Sequence, residues 1–310
     1  MLISRNKLII LILSAFLFAC QSKNEIQDTM RTDSMLDYYR TQSEYTDPGK
    51  YIYLYNDIPD NVAEIVATVQ QVLLPLDQLE KQHIQVPDHR IREEINFINV
   101  ESILNCLNRM DDRSVVFKRT PENRVIAICA QSAMLTCSML RHKNIPARCR
   151  GGFETRHSAD KHHDHWICEY WNISEDRWIK IDPELNPFLR NEWNTRYNYL
   201  DLPENAFLTG SDTWKSCRAG EKNPDHFGIM GDQWIGGWDF VLNEMILDFM
   251  ALNKVESLPW DDNRLTKKGY RRLKVKESAL LDKAAELVSS GDESFHEIRS
   301  LYKNNKSLQK

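Results

Sequence analysis

The spacing of apolar residues predicts several helices in the first half of the chain. Apolar positions recur at helical intervals from Asn61 to Leu79 and again from Glu93 to Arg109. A third segment, Cys129 to His142, is apolar on nearly all sides, which is typical of a buried helix. Asn144 follows it at the position where a left-handed residue commonly ends a helix.

Three short β-like segments come after this helix: Ala147 to Glu154, His165 to Trp171 and Arg177 to Ile181. A long polar loop separates the first two segments, and a tight turn joins the last two. A helix followed by an antiparallel meander predicts an α+β fold. Two later segments, Trp238 to Asn253 and Lys274 to Val288, are predicted to be helical.

The first residues have the pattern of an export signal. Two basic residues precede an apolar run, Leu8 to Phe18, that is too short to span a bilayer. The run ends in L-F-A-C, which resembles the lipobox of bacterial lipoproteins and implies that Cys20 is lipidated. Because Gln21 follows, the resemblance implies an outer-membrane location in the bacterial cell envelope. An uncleaved anchor and plain secretion are the alternatives.

Composition narrows the class of partner. The chain is 42% hydrophobic and 27% charged, which is ordinary for a globular protein. Its net charge of -5 provides no basic surface, so we expect no nucleic-acid partner. Residues 20–34 are polar and are predicted to be a flexible tether.

The cysteines other than Cys20 do not have the spacing of a disulfide framework. They are Cys106, Cys129, Cys137, Cys149, Cys168 and Cys217. On a helix, Cys129 and Cys137 would lie about 12 Å apart along the axis, beyond the roughly 7 Å that a disulfide can bridge. Most of the cysteines are therefore expected to be small buried thiols.

Cys129 differs from the others because it begins its predicted helix. The partial positive charge of a helix N-terminus lowers a thiol pKa and favours the reactive thiolate. If the last two β segments form a hairpin, one register places His165 opposite Asp182 and Ile167 opposite Lys180. Directly opposed residues lie roughly 5 Å apart at Cβ, close enough for Asp182 to hold the imidazole. Cys129, His165 and Asp182 are thus a candidate nucleophile, base and orienting carboxylate.

Two other polar groupings have competing interpretations. A zinc site is possible within a stretch rich in ligand residues: His157, Asp160, His162, His163, Asp164, His165 and Cys168. We expect no metal, because loop histidines are usually solvated. Arg148 and Arg150 share a strand face and could bind a carboxylate, although surface ion pairs are the expected use. Glu169 is expected to pair with Lys180.

The pattern C-x3-A-x-L-x4-L-R-x3-I-P-A-R begins at Cys129 and is followed by D-H-W-I-C-E-Y-W and R-W-I-K-I-D-P. These motifs resemble the transglutaminase-like, papain-related superfamily, and the resemblance covers roughly residues 36–265. It implies that Cys129 is the nucleophile, His165 the general base and Asp182 the orienting residue. The implied core has the nucleophile at a helix N-terminus packed on an antiparallel sheet.

The expected organisation is a signal peptide over residues 1–19, the tether, one transglutaminase-like domain over residues 35–270 and a charged C-terminal helix and tail over residues 271–310. The resemblance implies acyl transfer or hydrolysis at amide bonds of a protein or peptide, with no cofactor. The chain would reach the membrane through its lipid anchor. The alternative is a non-catalytic envelope binding module, because Ala127 stands where the family usually has glycine, and Ile128 where it has a polar residue.

Overall fold

The computed structural model describes residues 33–156, 158, 160–231 and 233–310. The expected signal peptide, the lipidation site Cys20 and nearly all of the expected tether lie outside the described residues, as does His157. Within the described part of the chain, no helix is both long enough and apolar enough to cross a bilayer.

Helices occupy the beginning, the middle and the end of the described chain. They are α1 (33–40), α2 (Val62–Val72), α3 (Leu76–Lys81), α4 (Asp88–Glu94), α5 (Val100–Met110), α6 (Cys129–His142), α7 (Pro187–Glu192), α8 (Gly210–Arg218), α9 (Trp238–Leu252), α10 (Arg264–Lys268), α11 (Val275–Ser289) and α12 (Phe295–Asn304). The helices predicted for the α6, α9 and α11 segments are confirmed, and α6 has its predicted bounds. Asn144 adopts the expected left-handed conformation, with a φ of 61°.

The strands are mostly in the second half of the chain. They are β1 (Leu73–Pro75), β2 (Val125–Ala127), β3 (Ala147–Glu154), β4 (His162–Asn172), β5 (Arg177–Ile181), β6 (Phe207–Thr209), β7 (Phe227–Met230) and β8 (Trp234–Gly236). The three predicted strands are confirmed, with β4 longer than expected at both ends.

The main sheet is mixed rather than wholly antiparallel. Strands β3, β4 and β5 form the predicted antiparallel meander, and β6 pairs with the outer edge of β3. The start of β4 also pairs with β7, and this pairing is parallel. Strand β8 then pairs antiparallel with β7. The α+β prediction is confirmed, with the parallel β4–β7 contact as the departure from an antiparallel sheet.

The predicted helix from Asn61 to Leu79 is two helices, because residues 73–75 form β1 and α3 begins at Leu76. Asn61 caps α2, and its side-chain oxygen accepts a hydrogen bond from the Ala63 backbone at 2.9 Å. The chain then becomes extended at β1 and pairs in parallel with β2. Pro75 explains the break, because the residue before a proline is disfavoured in a helix. Strand β2 ends just before α6, so this pairing helps to position the start of α6.

The second predicted helix, Glu93 to Arg109, is two helices. Helix α4 ends at Glu94, and α5 begins after Asn99, whose side-chain oxygen accepts a hydrogen bond from the Ser102 backbone at 2.9 Å. Asparagine is a favoured N-cap residue because its side chain satisfies a free backbone N–H. The apolar periodicity continues through the turn, so it does not indicate the boundary between the two helices.

The predicted register of the β4–β5 hairpin is also wrong. Lys180 lies opposite Glu169 rather than Ile167, a shift of two residues along β4. Side chains alternate between the faces of a strand, so a shift by two leaves every residue on its predicted face. His165 and Asp182 therefore share a face, although they are not directly opposite each other.

Two helices cover opposite faces of β3. Cys149 and Cys168 face α6 and lie in one core with its Leu135, whereas Arg150 of the same strand contacts α9. Helices α8 and α11 pack on α9 to build a second core. Leu281 and other buried residues beyond position 271 belong to this second core. The expected polar tail contains α12, so the C-terminal segment packs on the rest of the fold.

Arg150 forms buried ion pairs and Arg148 forms partly buried ones, which corrects the expectation of surface pairs. Arg150 donates to the Asp248 carboxylate of α9 at 2.7 and 3.0 Å. Arg148 donates to Glu169 at 2.6 Å. Glu169 lies opposite Lys180 in the sheet, and its carboxylate accepts hydrogen bonds from both arginines.

Candidate functional site

Cys129 is the first residue of α6, and it is partly exposed. The buried Gln131 fixes the start of the helix. Its side-chain oxygen accepts a hydrogen bond from the Ile128 backbone at 3.1 Å, and its side-chain nitrogen donates to the Glu94 carbonyl at 2.7 Å. The thiol therefore stands at a helix N-terminus that is tied to both β2 and α4.

His165 and Asp182 form a buried hydrogen bond. The distance from His165 Nε2 to Asp182 Oδ2 is 2.8 Å. Arg156 donates to the same carboxylate oxygen at 2.9 Å, and the Glu184 backbone donates to Oδ1 at 3.2 Å. Burial alone would raise the pKa of Asp182, but His165 and Arg156 outweigh it and lower that pKa to about 2. Asp182 is thus a firmly ionised partner for the imidazole.

Cys129 lies beside this pair. The ligand-type atoms of Cys129, His165 and Glu184 all lie within 4.8 Å of one another. Since Asp182 engages Nε2, Nδ1 is the nitrogen of His165 that remains to face the thiol. The fold therefore brings together the three residues singled out in the sequence, even though the hairpin register differs from the predicted one.

The protonation preferences at the site differ from the expectation of a lowered thiol pKa. Burial raises the pKa of Cys129, and the Glu184 and Asp164 carboxylates raise it further, while a hydrogen bond from the Trp166 backbone opposes them. Burial lowers the pKa of His165, but the Asp182 carboxylate outweighs burial and the net pKa is raised. These surroundings keep the proton on sulfur at rest and stabilise an imidazolium once His165 accepts that proton.

Glu184 was not predicted to belong to the site. Its carboxylate oxygen lies 3.9 Å from His165 Nδ1, and burial raises its pKa to about 7. Glu184 lies in the turn that follows β5, which ends at Ile181, so strand alternation does not apply to it. No periodic pattern in the sequence pointed to it.

A cleft of about 520 Å³ opens beside these residues, within the usual range for small-ligand sites. Its lining combines acidic side chains such as Asp77 and Asp164 with the aromatic rings of Trp193 and Trp260. Burial raises the pKa of Asp164 to about 6. The cleft thus gives a substrate access to the thiol along a partly acidic, partly aromatic wall.

The histidine-rich stretch does not converge on one point. The His162 ring lies 5.0 Å from the Phe227 ring, and the His163 ring lies 5.3 Å from the Trp234 ring, measured between centroids. Cys168 is buried in the core that faces α6. In the part of the chain that the structure describes, two sets of residues have metal-ligand spacing; one of them includes His165 from this stretch, and the other includes none of its residues. The stretch does not by itself assemble the set of ligands considered from the sequence.

Comparison with known proteins identifies a related family. Residues 108–183 match the model of the transglutaminase-like superfamily. This segment is similar to a transglutaminase-like core. No curated protein and no solved structure matched the chain. The match contains Cys129, His165 and Asp182 and ends one residue before Glu184, and it indicates cysteine-based acyl transfer or hydrolysis.

Within the matched segment, the two residues before the cysteine have different surroundings. Ala127 belongs to β2 and is fully buried in the main core, so its methyl group packs away from solvent. Ile128 lines the cleft. Of the two departures from the family pattern, only the isoleucine side chain can contact a bound substrate.

Proposed function

We propose that this protein carries out thiol-dependent acyl transfer or hydrolysis at amide bonds, with Cys129 as the nucleophile, His165 as the base and Asp182 as the orienting residue. The observation that supports this most is the buried hydrogen bond of 2.8 Å that His165 Nε2 donates to Asp182. This bond leaves Nδ1 available to accept the proton of the adjacent thiol. A carboxylate, an imidazole and a nucleophile in this order recur in unrelated hydrolases.

The proposed reaction proceeds in two stages. His165 accepts the thiol proton as the Cys129 sulfur attacks the amide carbonyl carbon, and Asp182 stabilises the resulting imidazolium. The imidazolium then donates that proton to the departing nitrogen, the C–N bond breaks and a thioester remains. Water or an amine attacks the thioester, with His165 again accepting a proton, and the thiol is restored. Water completes hydrolysis, and an amine completes transamidation.

The N-terminal end of α6 would stabilise negative charge that develops during the reaction. The first backbone N–H groups of a helix have no intrahelical acceptor, and Cys129 is the first residue of α6. A carbonyl oxygen that gains negative charge during attack by the sulfur would be stabilised by these groups. The N-terminal end of the helix thus favours the tetrahedral intermediate as well as the thiolate.

The test is an activity screen on glutamine-containing peptides and peptide amides, with and without added primary amines. Cys129→Ala should lose at least about 10³-fold in turnover. Cys217→Ala removes a buried thiol outside the cleft and serves as the matched control, with turnover near that of the wild type. Equal turnover by Cys129→Ala and the wild type on a confirmed substrate would refute the proposal.

A non-catalytic binding module is the second candidate. It is favoured by the raised pKa of Cys129, because a protonated thiol is a poor nucleophile. For such a module, Cys129→Ala would keep its affinity for a peptide ligand, and the wild type would release no ammonia or amine from any amide tested. Release of either product that depends on Cys129 would exclude this candidate.

We also propose that Cys20 carries a lipid that anchors the domain in the bacterial cell envelope. The domain would then act on protein or peptide substrates in the envelope. The proposal is supported by the L-F-A-C motif after an apolar run of signal-peptide length. Mass spectrometry of the N-terminal peptide should find a diacylglyceryl group on Cys20. Cys20→Ser should shift the protein from the membrane fraction, and an unmodified Cys20 in membranes would contradict the proposal.

A further inference from the structure

Glu184 gives the site a feature that the proposed reaction does not use. A base and an orienting carboxylate are already provided by His165 and Asp182, yet a second carboxylate stands 3.9 Å from His165 Nδ1. Together with the Cys129 thiol, these two groups offer a sulfur, a nitrogen and an oxygen within 4.8 Å of one another. This mixture of ligand types is the one that zinc binds in proteins.

The distances are close to those a tetrahedral ion requires. Ligand atoms at about 2.1 Å from zinc, with tetrahedral angles, lie about 3.4 Å from each other. The observed 3.9 Å between His165 Nδ1 and Glu184 Oε2 is slightly longer, and all three ligand atoms lie within 4.8 Å of one another. Side-chain movements on the order of 1 Å would bring the three groups to these separations.

The surroundings of His165 also suit a metal ligand. A histidine that binds zinc commonly donates its other ring N–H to a carboxylate, which fixes the tautomer and the ring orientation. Asp182 accepts this bond from Nε2 at 2.8 Å, and Arg156 holds Asp182 in place from the other side. Nδ1 is thereby presented to the thiol and to Glu184.

The second set of potential ligands in the described residues provides a comparison. Cys137, Cys149 and Glu256 also have ligand atoms within 4.8 Å of one another, and all three are buried. However, the Glu256 carboxylate already pairs with the buried Arg141 at 3.0 Å. An ion would have to reach a closed core and displace a guanidinium, whereas the Cys129 set lines the open cleft.

We propose that Cys129, His165 and Glu184 bind one zinc ion, with a fourth position open to water from the cleft. Binding forms Zn–S, Zn–N and Zn–O bonds, and the thiol proton leaves to solvent, with no oxidation or reduction. Given the function proposed above, the bound ion holds the sulfur and Nδ1, so zinc reversibly blocks the nucleophile. The metal site itself does not depend on that function.

The test is a titration of the purified full-length chain with zinc chloride and, separately, with cobalt chloride as a coloured probe. We expect one zinc ion per chain by calorimetry and a thiolate-to-cobalt charge-transfer band in the near ultraviolet. Cys129→Ser should abolish the band. Glu184→Gln, which keeps the side-chain size, should weaken zinc binding at least about 10-fold, and Asp182→Asn should weaken it about 10–100-fold.

Cys149→Ala is the matched control, because it removes a thiol from the buried set alone. It should bind zinc as the wild type does, with folding of each variant checked by circular dichroism. Zinc binding that survives in Cys129→Ser and Glu184→Gln, or that is lost only in Cys149→Ala, would overturn the proposal. Zinc binding without any amide turnover would refute only the blocking role, whereas turnover without zinc binding would refute the metal site and leave the proposed function standing.

Discussion

In the described residues, Cys129 and the pair Cys137 and Cys149 belong to two groups of side chains with different surroundings. The cleft group, Cys129 with His165 and Glu184, lies at the start of α6 and faces solvent on one side. The core group, Cys137 with Cys149 and Glu256, lies farther along the same helix and is closed off. Both groups combine sulfur with a carboxylate. The two groups differ in their access to solvent and in the partner of each carboxylate, and on the proposed function these differences decide which thiol reacts.

The partner of each carboxylate distinguishes the two groups more clearly than solvent access does. In the core group, the carboxylate of Glu256 pairs with Arg141 and so has a permanent counter-charge. In the cleft group, an imidazole stands beside the sulfur and is itself held by Asp182. Of these two groups, the cleft group alone includes an imidazole that could accept the thiol proton.

Removing the orienting carboxylate should make the cleft group as inert as the core group. Asp182→Asn cannot stabilise an imidazolium, so turnover on a substrate cleaved by the wild type should fall about 10²–10⁴-fold. Steady-state kinetics measure the loss. Asp77→Asn, which changes another aspartate of the same cleft, is the control and should stay near the wild-type rate. If both variants lost activity equally, a general charge effect would explain the result better than a role for Asp182.

Alkylation should separate the two groups directly. Iodoacetamide should modify Cys129 in the native protein, while Cys137 and Cys149 should react at least about 10²-fold more slowly, because they are reached only when the core opens. Peptide mapping after timed labelling gives the individual rates. In urea the rates should become similar. Rapid labelling of Cys149 in the native protein would contradict the prediction that the core group is closed to solvent.

Glu184 should make stability fall with rising pH. Its pKa is raised from 4.5 to about 7 by burial, so between these values the native state holds a proton that the unfolded state has lost. The free energy of unfolding should therefore decrease across this window, and Glu184→Gln should remove about 1–2 kcal/mol of that decrease. Urea unfolding at pH 5 and pH 8 measures it, with the exposed Glu221→Gln as control. An unchanged pH dependence in Glu184→Gln would contradict the assigned burial effect.

The same variant should make Cys129 more reactive. The ionised Glu184 carboxylate raises the pKa of the neighbouring thiol, so Glu184→Gln should lower that pKa. Near neutral pH the rate of Cys129 alkylation should then rise about 3- to 10-fold. The pH profile of iodoacetamide labelling provides the measurement. A slower rate would mean that Glu184 supports the thiolate, contrary to the charge argument.

Local sequence patterns predicted much of the architecture. The bounds of α6, the left-handed Asn144 and the three strands that follow were predictable because each depends on neighbouring residues: apolar periodicity, a terminating asparagine and alternation between turn signals. The motifs from Cys129 to Asp182 likewise pointed to the superfamily that the family model matches. Errors arose where local patterns conflicted with a distant partner, as at β1, whose residues have helical periodicity but pair with β2.

By itself, the sequence determined which residues form the helix behind Cys129 and which face of the hairpin carries His165 and Asp182, since side-chain alternation survives a register shift of two. Only the tertiary structure decided the register, the burial of Arg150 against Asp248 and the approach of Glu184 to the thiol. These features depend on how separate elements pack, and packing determines solvent access and the distance between charges. Those two quantities distinguish Cys129, which lines the cleft beside an imidazole, from the thiols that are closed in the core.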